Sequence, residues 1–313
     1  MYKRNVKIDL IKSFAVSLVI IYHIFPNLLP IGFIGVEFFL IVTGYLTAQT
    51  LERSNAKEFI IKRFWRIYPS LCTIILLTMT IVIFEGYSDE IYVNLKSAVI
   101  GSVLLSNFYY LFTSTDYFFV NDAEMFIHFW SIALEWQIWL FFAILTLLFK
   151  NKKLFFLFFL FFLLVNIFLL FQKSIFDEYF NPLRILFLPL LGYIIFSYNY
   201  KFNTTKRIYS LIYIILFFLL IYVVNSNFDL VGYYILLMLP LIVLVIDNKN
   251  SNKNITFLDK IFIFLSNRTY GLYLSHYPAW KYFSVYYNLS YGWVLALIVS
   301  FIYAELSYRY LEQ

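Results

Sequence analysis

"IDLIKSFAVSLVIIYH", Ile8 to His23, is an apolar run broken by Asp9, Lys12 and His23. Its length and composition suit a helix that crosses a hydrocarbon core, where each ionisable group is costly and needs a reason to be present. Eleven positions separate Lys12 from His23. At 100° per residue that closes to within about 20° of three full turns, with an axial separation of roughly 16 Å. One helix face would carry a cation near one membrane surface and an imidazole near the other. Asp9, three residues before Lys12, falls on nearly the same stripe and is placed to pair with it. The purely structural alternative has Lys12 snorkelling inward, neutralised by Asp9, with His23 hydrogen-bonded in the outer interface.

The rest of the chain repeats the pattern. Of 313 residues, 62% are hydrophobic, 23% aromatic and only 13% charged, outside the usual range of a soluble domain. Beyond the first span, at 8–25, apolar spans follow at 32–50, 68–87, 131–150, 154–172, 182–198, 208–225, 230–247, 268–286 and 289–308. They predict an all-α polytopic membrane protein, a bundle of about ten transmembrane helices with a short amphipathic cytoplasmic segment after the second. The stretch 97–114, "SAVIGSVLLSNFYYLFTS", is rich in Ser, Asn and Tyr and reads as interfacial or re-entrant. The first span follows Lys3, Arg4 and Lys7 as a signal peptide would, but it is too long and lacks a small-residue cleavage site, so it is expected to stay in the mature chain. Residues 1–313 read as a single integral-membrane domain, with no appended soluble domain expected. The single cysteine, Cys72, excludes an intrachain disulfide and a thiolate metal cluster.

With the N-terminus in the cytoplasm, most of the 24 basic residues fall in inner segments, while the outer segment 88–130 carries Asp89, Glu90, Asp116, Asp122 and Glu124. This is the positive-inside bias, and it accounts for the net charge of +6 without a nucleic-acid partner, for which no motif is present. Four cations break the bias: Lys96, Lys173, Arg184 and Lys281. The chain has no phosphate-binding Walker loop, no Gly-x-Ser-x-Gly elbow and no His-Glu-x-x-His site, so no metal is expected and any chemistry belongs inside the bundle.

Three segments bring an imidazole or carboxylate to the depth of His23. "GFIGVEFFLIVTGYL" puts Glu37 near the outer end of the second span, and "HFWSIALEWQIWL" puts His128, Trp130, Ser131 and Glu135 at the outer end of the fourth. Ser131 and Glu135 lie one turn apart on one face. A carboxylate beside His23 would orient the ring and stabilise the imidazolium formed when it takes a proton. On the inner side, "IIKRFWRIYPS" carries Lys62, Arg63 and Arg66, and Arg268 opens the ninth span. These read either as an ordinary patch against anionic headgroups or as a clamp for phosphates. His276, beside Pro278 in an aromatic helix, reads as a hydrogen-bonded packing residue.

Taken in order, "IDLIKSFAVSLVIIYH", "GFIGVEFFLIVTGYL", "KRFWRIYP", "HFWSIALEWQIWL", "RTYGLYLSHYP" and "SYRYLEQ" resemble the membrane acyltransferase 3 family of bacterial O-acyltransferases over nearly the whole chain. That resemblance implies transfer of an acyl group, usually acetyl from acetyl-CoA, onto an extracytoplasmic glycan at the bacterial inner membrane. The family shows an Arg, ten residues and a His in its first span; here His23 matches and Lys12 replaces the Arg. Glu37 stands where Asp is frequent, Trp136 where a second acid often follows Glu135, and Lys62 where Arg is usual.

The resemblance together with the geometry implies that the CoA nucleotide docks on Arg63, Arg66, Arg268 and Lys12. The pantetheine arm would then bring the thioester towards His23. His23, oriented by Glu37 or Glu135, would act as general base on a sugar hydroxyl or relay the acyl group covalently. Trp130, Tyr45 and Ser131 are candidates to hold the acceptor or the oxyanion. Acceptors of the right class are O-antigen, lipooligosaccharide, capsule, exopolysaccharide and peptidoglycan. A rival reading is a transporter or flippase for a lipid-linked sugar or small anion, with no bond chemistry.

Overall fold

A computed structural model of the chain describes residues 4–113, 124–149, 152–172, 179–197 and 256–312. Every regular element among them is helical: α1 (Val6–Ile24), a 3₁₀ turn (Gly32–Ile34) leading into α2 (Gly35–Leu51), α3 (Ala56–Glu85), α4 (Ser88–Ser102), α5 (Ser106–Phe112), α6 (Phe129–Leu148), α7 (Lys152–Gln172), α8 (Pro182–Ile185), α9 (Phe187–Ser197), α10 (Phe257–Trp280), continued by a π-helical turn (Lys281–Tyr286), and α11 (Gly292–Tyr310). Against the ten spans expected, four described helices are long and apolar enough to cross a membrane: Gly32–Leu51, Ala56–Glu85, Phe129–Leu148 and Gly292–Tyr310. α1 is as long, at 19 residues, but it carries three charged residues, Lys7, Asp9 and Lys12. The spans expected at 208–225 and 230–247 lie outside the described residues.

The chain divides into two compact units that interleave along the sequence. The first comprises Met1–Gln49, Asn151–Ile175 and Leu183–Ser266; the second comprises Thr50–Lys150, Phe176–Pro182 and Asn267–Gln313.

In the first unit, glycines let backbones touch. A Cβ on Gly35 would lie 2.3 Å from the Ala15 carbonyl oxygen of α1, one on Gly44 1.8 Å from that of Pro189, and one on Gly192 2.0 Å from that of Ile41. α2 is therefore pressed against α1 at its start and against α9 further along. Close approach through small residues is how helices associate where lipid removes the hydrophobic drive. The span expected at 182–198 is interrupted between α8 and α9, at Leu186. Pro189 is the cause: it has no N–H for the Ile185 carbonyl, and its ring displaces that group. The break also frees the Arg184 carbonyl, which the buried Asn166 amide takes as a donor at 2.7 Å, as backbone satisfaction inside a membrane demands.

In the second unit, the amphipathic segment expected to end before a span at residue 68 is instead the first half of α3, one continuous helix of 30 residues. Asn55 caps it, accepting from the Glu58 N–H at 2.8 Å. Ala56, Phe59 and Ile67 pack with Trp139 and Ala143 of α6. That burial of the apolar face offsets the helical hydrogen bond lost at Pro69. α3 and α10 run parallel. Tyr270 donates to the Ile67 carbonyl at 2.8 Å near one end, and Tyr282 donates to Glu85 at 2.9 Å at the other. α11 runs back alongside, with Tyr303 donating to the Ser70 carbonyl at 2.6 Å and the Ser70 and Ser307 hydroxyls 2.8 Å apart. The stretch read as interfacial or re-entrant holds the end of α4 and all of α5, neither of which is long enough to span. α4 ends with Leu104 in the left-handed region (φ 59°) and the Leu105 N–H reaching back to the Ile100 carbonyl at 3.2 Å, the Schellman arrangement.

Gly192→Val is expected to push α9 off α2 and cost about 1–3 kcal/mol or more. A lowered thermal midpoint of the purified protein in detergent would show it. Leu147→Ala, on the exposed face of α6, should leave that midpoint unchanged.

Candidate functional site

In the first unit, α1 is continuous from Val6 to Ile24 and carries both Lys12 and His23. His23 is 7% exposed, so the imidazole faces protein. Its neighbour Tyr22 meets the Phe33 ring edge-on at 5.6 Å, fixing the end of α1 to the turn that starts α2. Asp9, expected to pair with Lys12, takes the guanidinium fork of Arg4, with Nε to Oδ2 at 2.7 Å and Nη2 to Oδ1 at 2.9 Å. It also accepts from the Ser266 hydroxyl at 2.7 Å. Lys12 donates to the Ser266 carbonyl at 3.0 Å. Both groups thus tie α1 to α10.

Glu37 lies in the first turn of α2, where the helix dipole favours a carboxylate. It is 4% exposed and faces Arg184, 2% exposed, across 3.7 Å. The pair is ionic but too long for a direct hydrogen bond. Neither Glu37 oxygen has a hydrogen bond among the described residues. Both keep lone pairs for a further donor. Tyr45, one of the candidates for the acceptor, is buried edge-on against Phe196 at 5.2 Å.

In the second unit, Arg63 lies over the Trp139 ring at 4.9 Å and the Phe59 ring at 5.5 Å, with Glu135 and Arg66 as electrostatic neighbours. Arg66 is exposed and Arg63 half-buried. Arg268 is buried and bonded to Glu305, which also takes Arg309. Arg268 stacks on Tyr308 at 4.9 Å. The Tyr270 bond to Ile67 sets Arg268 near the level of Arg66.

Trp130 is fully buried, with the Tyr179 and Phe180 rings at 4.9 and 5.6 Å. Ser131 shares a hydrogen bond with the Tyr273 hydroxyl at 2.6 Å, and Tyr273 donates to the His128 carbonyl at 3.0 Å. The His128 and His276 rings are 5.5 Å apart. His128 Nε2 meets the Leu274 carbonyl and His276 Nδ1 the Tyr273 carbonyl. A carbonyl only accepts, so each of these nitrogens carries a proton and donates it. His276 fits its expected role as a hydrogen-bonded packing residue.

Arg184 went unrecognised as a partner for Glu37. Its signal was present: a lone cation inside an apolar span on the side where cations are scarce. Which acid answers it was invisible, because Glu37 lies 147 positions earlier in the chain.

The model of a family described as an acyltransferase domain matches residues 5–305. The chain belongs to this acyltransferase family. It is 26% identical over 339 residues to the O-acetyltransferase OatA of Staphylococcus aureus (strain NCTC 8325 / PS 47), and 28% identical over 345 residues to a putative O-acetyltransferase of Staphylococcus aureus (strain COL). Each match covers 97% of this chain and 56% of the relative, so the chain spans little more than half the length of these proteins. No solved structure matches it. Family and apolar helices together make this a membrane protein of the acyltransferase class.

Removing one partner of the buried Glu37–Arg184 pair strands the other charge, at a cost of about 3–5 kcal/mol. Arg184→Ala is expected to lower the thermal midpoint in detergent sharply. The double variant with Glu37→Gln should regain most of that loss, and strict additivity of the two single effects would refute the pairing.

Proposed function

We propose that the protein is a multi-pass O-acyltransferase of the bacterial inner membrane, with a cytoplasmic N-terminus. It moves an acetyl group from cytoplasmic acetyl-CoA to a hydroxyl of an extracytoplasmic or lipid-linked glycan. The observation that carries this reading is the burial of His23 at the end of α1, in a chain whose family match runs from residue 5 to 305. The relatives' name, O-acetyltransferase, supports the acyl group and the acceptor atom.

In this reading the acceptor hydroxyl loses its proton to His23 as its oxygen attacks the thioester carbonyl. The C–O bond forms, the C–S bond breaks, and the proton passes to the departing CoA thiolate. A two-step route through an acyl-histidine has the same balance. Of the two carboxylates suited to orienting His23, Glu37 belongs to the same compact unit and is held by Arg184, so we assign it that role. Glu135 balances the charge of Arg63. Arg63 and Arg66 bind the CoA phosphates through forked, charge-assisted hydrogen bonds. Lys12 adds positive charge at the cytoplasmic end of the first unit. Arg268, already neutralised by Glu305, borders the phosphate site without supplying its main charge. In the second unit, Trp130 and Ser131 hold the acceptor end rigid.

Membranes containing the protein, given labelled acetyl-CoA and endogenous glycan, should place label in the glycan and release free CoA. His23→Ala should lower that rate by about 10²–10⁴-fold while the protein still inserts; undiminished product from this variant would defeat the assignment. Arg63→Ala should raise the acetyl-CoA concentration for half-maximal rate by about 10–100-fold, the loss of one charge-assisted hydrogen bond, and leave the acceptor dependence alone.

A further inference from the structure

The second unit holds a cavity of about 440 Å³ where the ends of α3, α4 and α10 meet; its lining includes Glu85, Tyr87, Glu90, Asn94, Lys281 and Tyr282. Its volume falls within the ~300–1,000 Å³ typical of small-molecule sites. We propose that this cavity is the acceptor subsite, holding a neutral, polyhydroxylated sugar ring of the glycan. The inference rests on the transferase reading and its topology, which puts this end of α3 and α10 outside the cell.

The lining argues for that ligand in three ways. The first is charge. Two carboxylates, Glu85 and Glu90, and one ammonium, Lys281, line it, and Lys281 has Glu124 as an electrostatic neighbour, so the acidic balance repels the CoA phosphates and leaves an uncharged ligand unopposed. The second is hydrogen-bonding chemistry. Carboxylates, an amide and an ammonium present both acceptors and donors to ring hydroxyls, and the rings of Tyr87 and Tyr282 offer apolar faces to the C–H side of a pyranose.

The third is preorganisation. Glu85 accepts from the Tyr282 hydroxyl at 2.9 Å and from the Tyr287 hydroxyl. Glu90 accepts from the Tyr87 N–H at 3.1 Å. Asn94 donates to the Glu90 carbonyl at 2.9 Å and accepts from the Met125 N–H at 2.9 Å. Lys281 is only 4% exposed, its ammonium 5.7 Å from the Tyr277 ring centre and 5.6 Å from that of Trp280. Lys281, Tyr282 and Val285 reach the cavity from the π-helical turn, a widened geometry that recurs at functional sites because it re-aims side chains.

The test is saturation-transfer NMR on the purified full chain in detergent, with methyl β-D-glucopyranoside and N-acetylglucosamine as probes. Saturation of the probe ring protons is expected. Ile81→Trp, which fills the cavity without removing a hydrogen bond, should weaken binding at least about 10-fold, and Tyr282→Phe, which removes one hydroxyl, should weaken it several-fold. No transfer to either probe, or full transfer with Ile81→Trp folded by circular dichroism, would overturn the inference. The labelled acetyl-CoA assay separates the two readings. Binding with the expected variant losses but no acetyl transfer keeps the sugar site and defeats the transferase. Transfer in which both variants show the native acceptor dependence keeps the transferase and removes this cavity from it.

Discussion

The contact of α2 with α1 and α9 through glycine governs the first unit. At Gly35, Gly44 and Gly192 there is no room for a single additional carbon atom, so the three helices can approach in only one register. That register brings Glu37, on α2, opposite Arg184, just before the break that precedes α9. Neither charge would be tolerable alone at such burial. The break at Leu186 is equally constrained: Pro189 opens the helix, and Asn166 of α7 satisfies the carbonyl that the opening leaves. Dispersion contacts, one buried ion pair and one amide hydrogen bond thus specify a local geometry that lipid exclusion alone would leave free.

The second unit is organised differently. Its helices are sewn together by hydroxyl donors, Tyr270 to Ile67, Tyr303 to Ser70 and Tyr282 to Glu85. Inside a low-dielectric bundle such bonds fix both lateral position and vertical offset. They set Arg268 level with the cations of α3 at one end, and they hold the rim of the polar cavity at the other. The two ends have opposite electrostatic character. Arg63 and Arg66 carry positive charge towards one end, whereas Glu85 and Glu90 carry negative charge at the other.

The four cations that broke the positive-inside bias carry most of what could have been foreseen and was not. Lys173 lies outside the described residues, and Lys96 sits over the Tyr109 ring at 5.0 Å. Arg184 and Lys281 are buried, one facing Glu37 and the other among aromatic rings at the cavity. A cation on the wrong side of a membrane helix is costly unless the fold holds it, so the exceptions to the charge pattern were pointers to internal sites. The boundary missed at α3 has the opposite origin. Proline and a run of charges argue for a stop before residue 69, and burial of Ala56, Phe59 and Ile67 against α6 outweighs them.

The sequence by itself determined the helical membrane class and the placement of Lys12 and His23 on one face of α1. These follow from hydropathy, helical periodicity and charge bias, all local properties of a chain in lipid. Only the tertiary structure decided which charges meet: Glu37 with Arg184, Asp9 with Arg4, Arg268 with Glu305. It also decided that α3 continues through its proline and that a cavity opens beside Lys281. Apart from the Asp9–Arg4 pair, five positions apart, those outcomes depend on contacts between residues tens to hundreds of positions apart, set by backbone approach distances and by the need of buried polar groups for partners, and no periodicity records them.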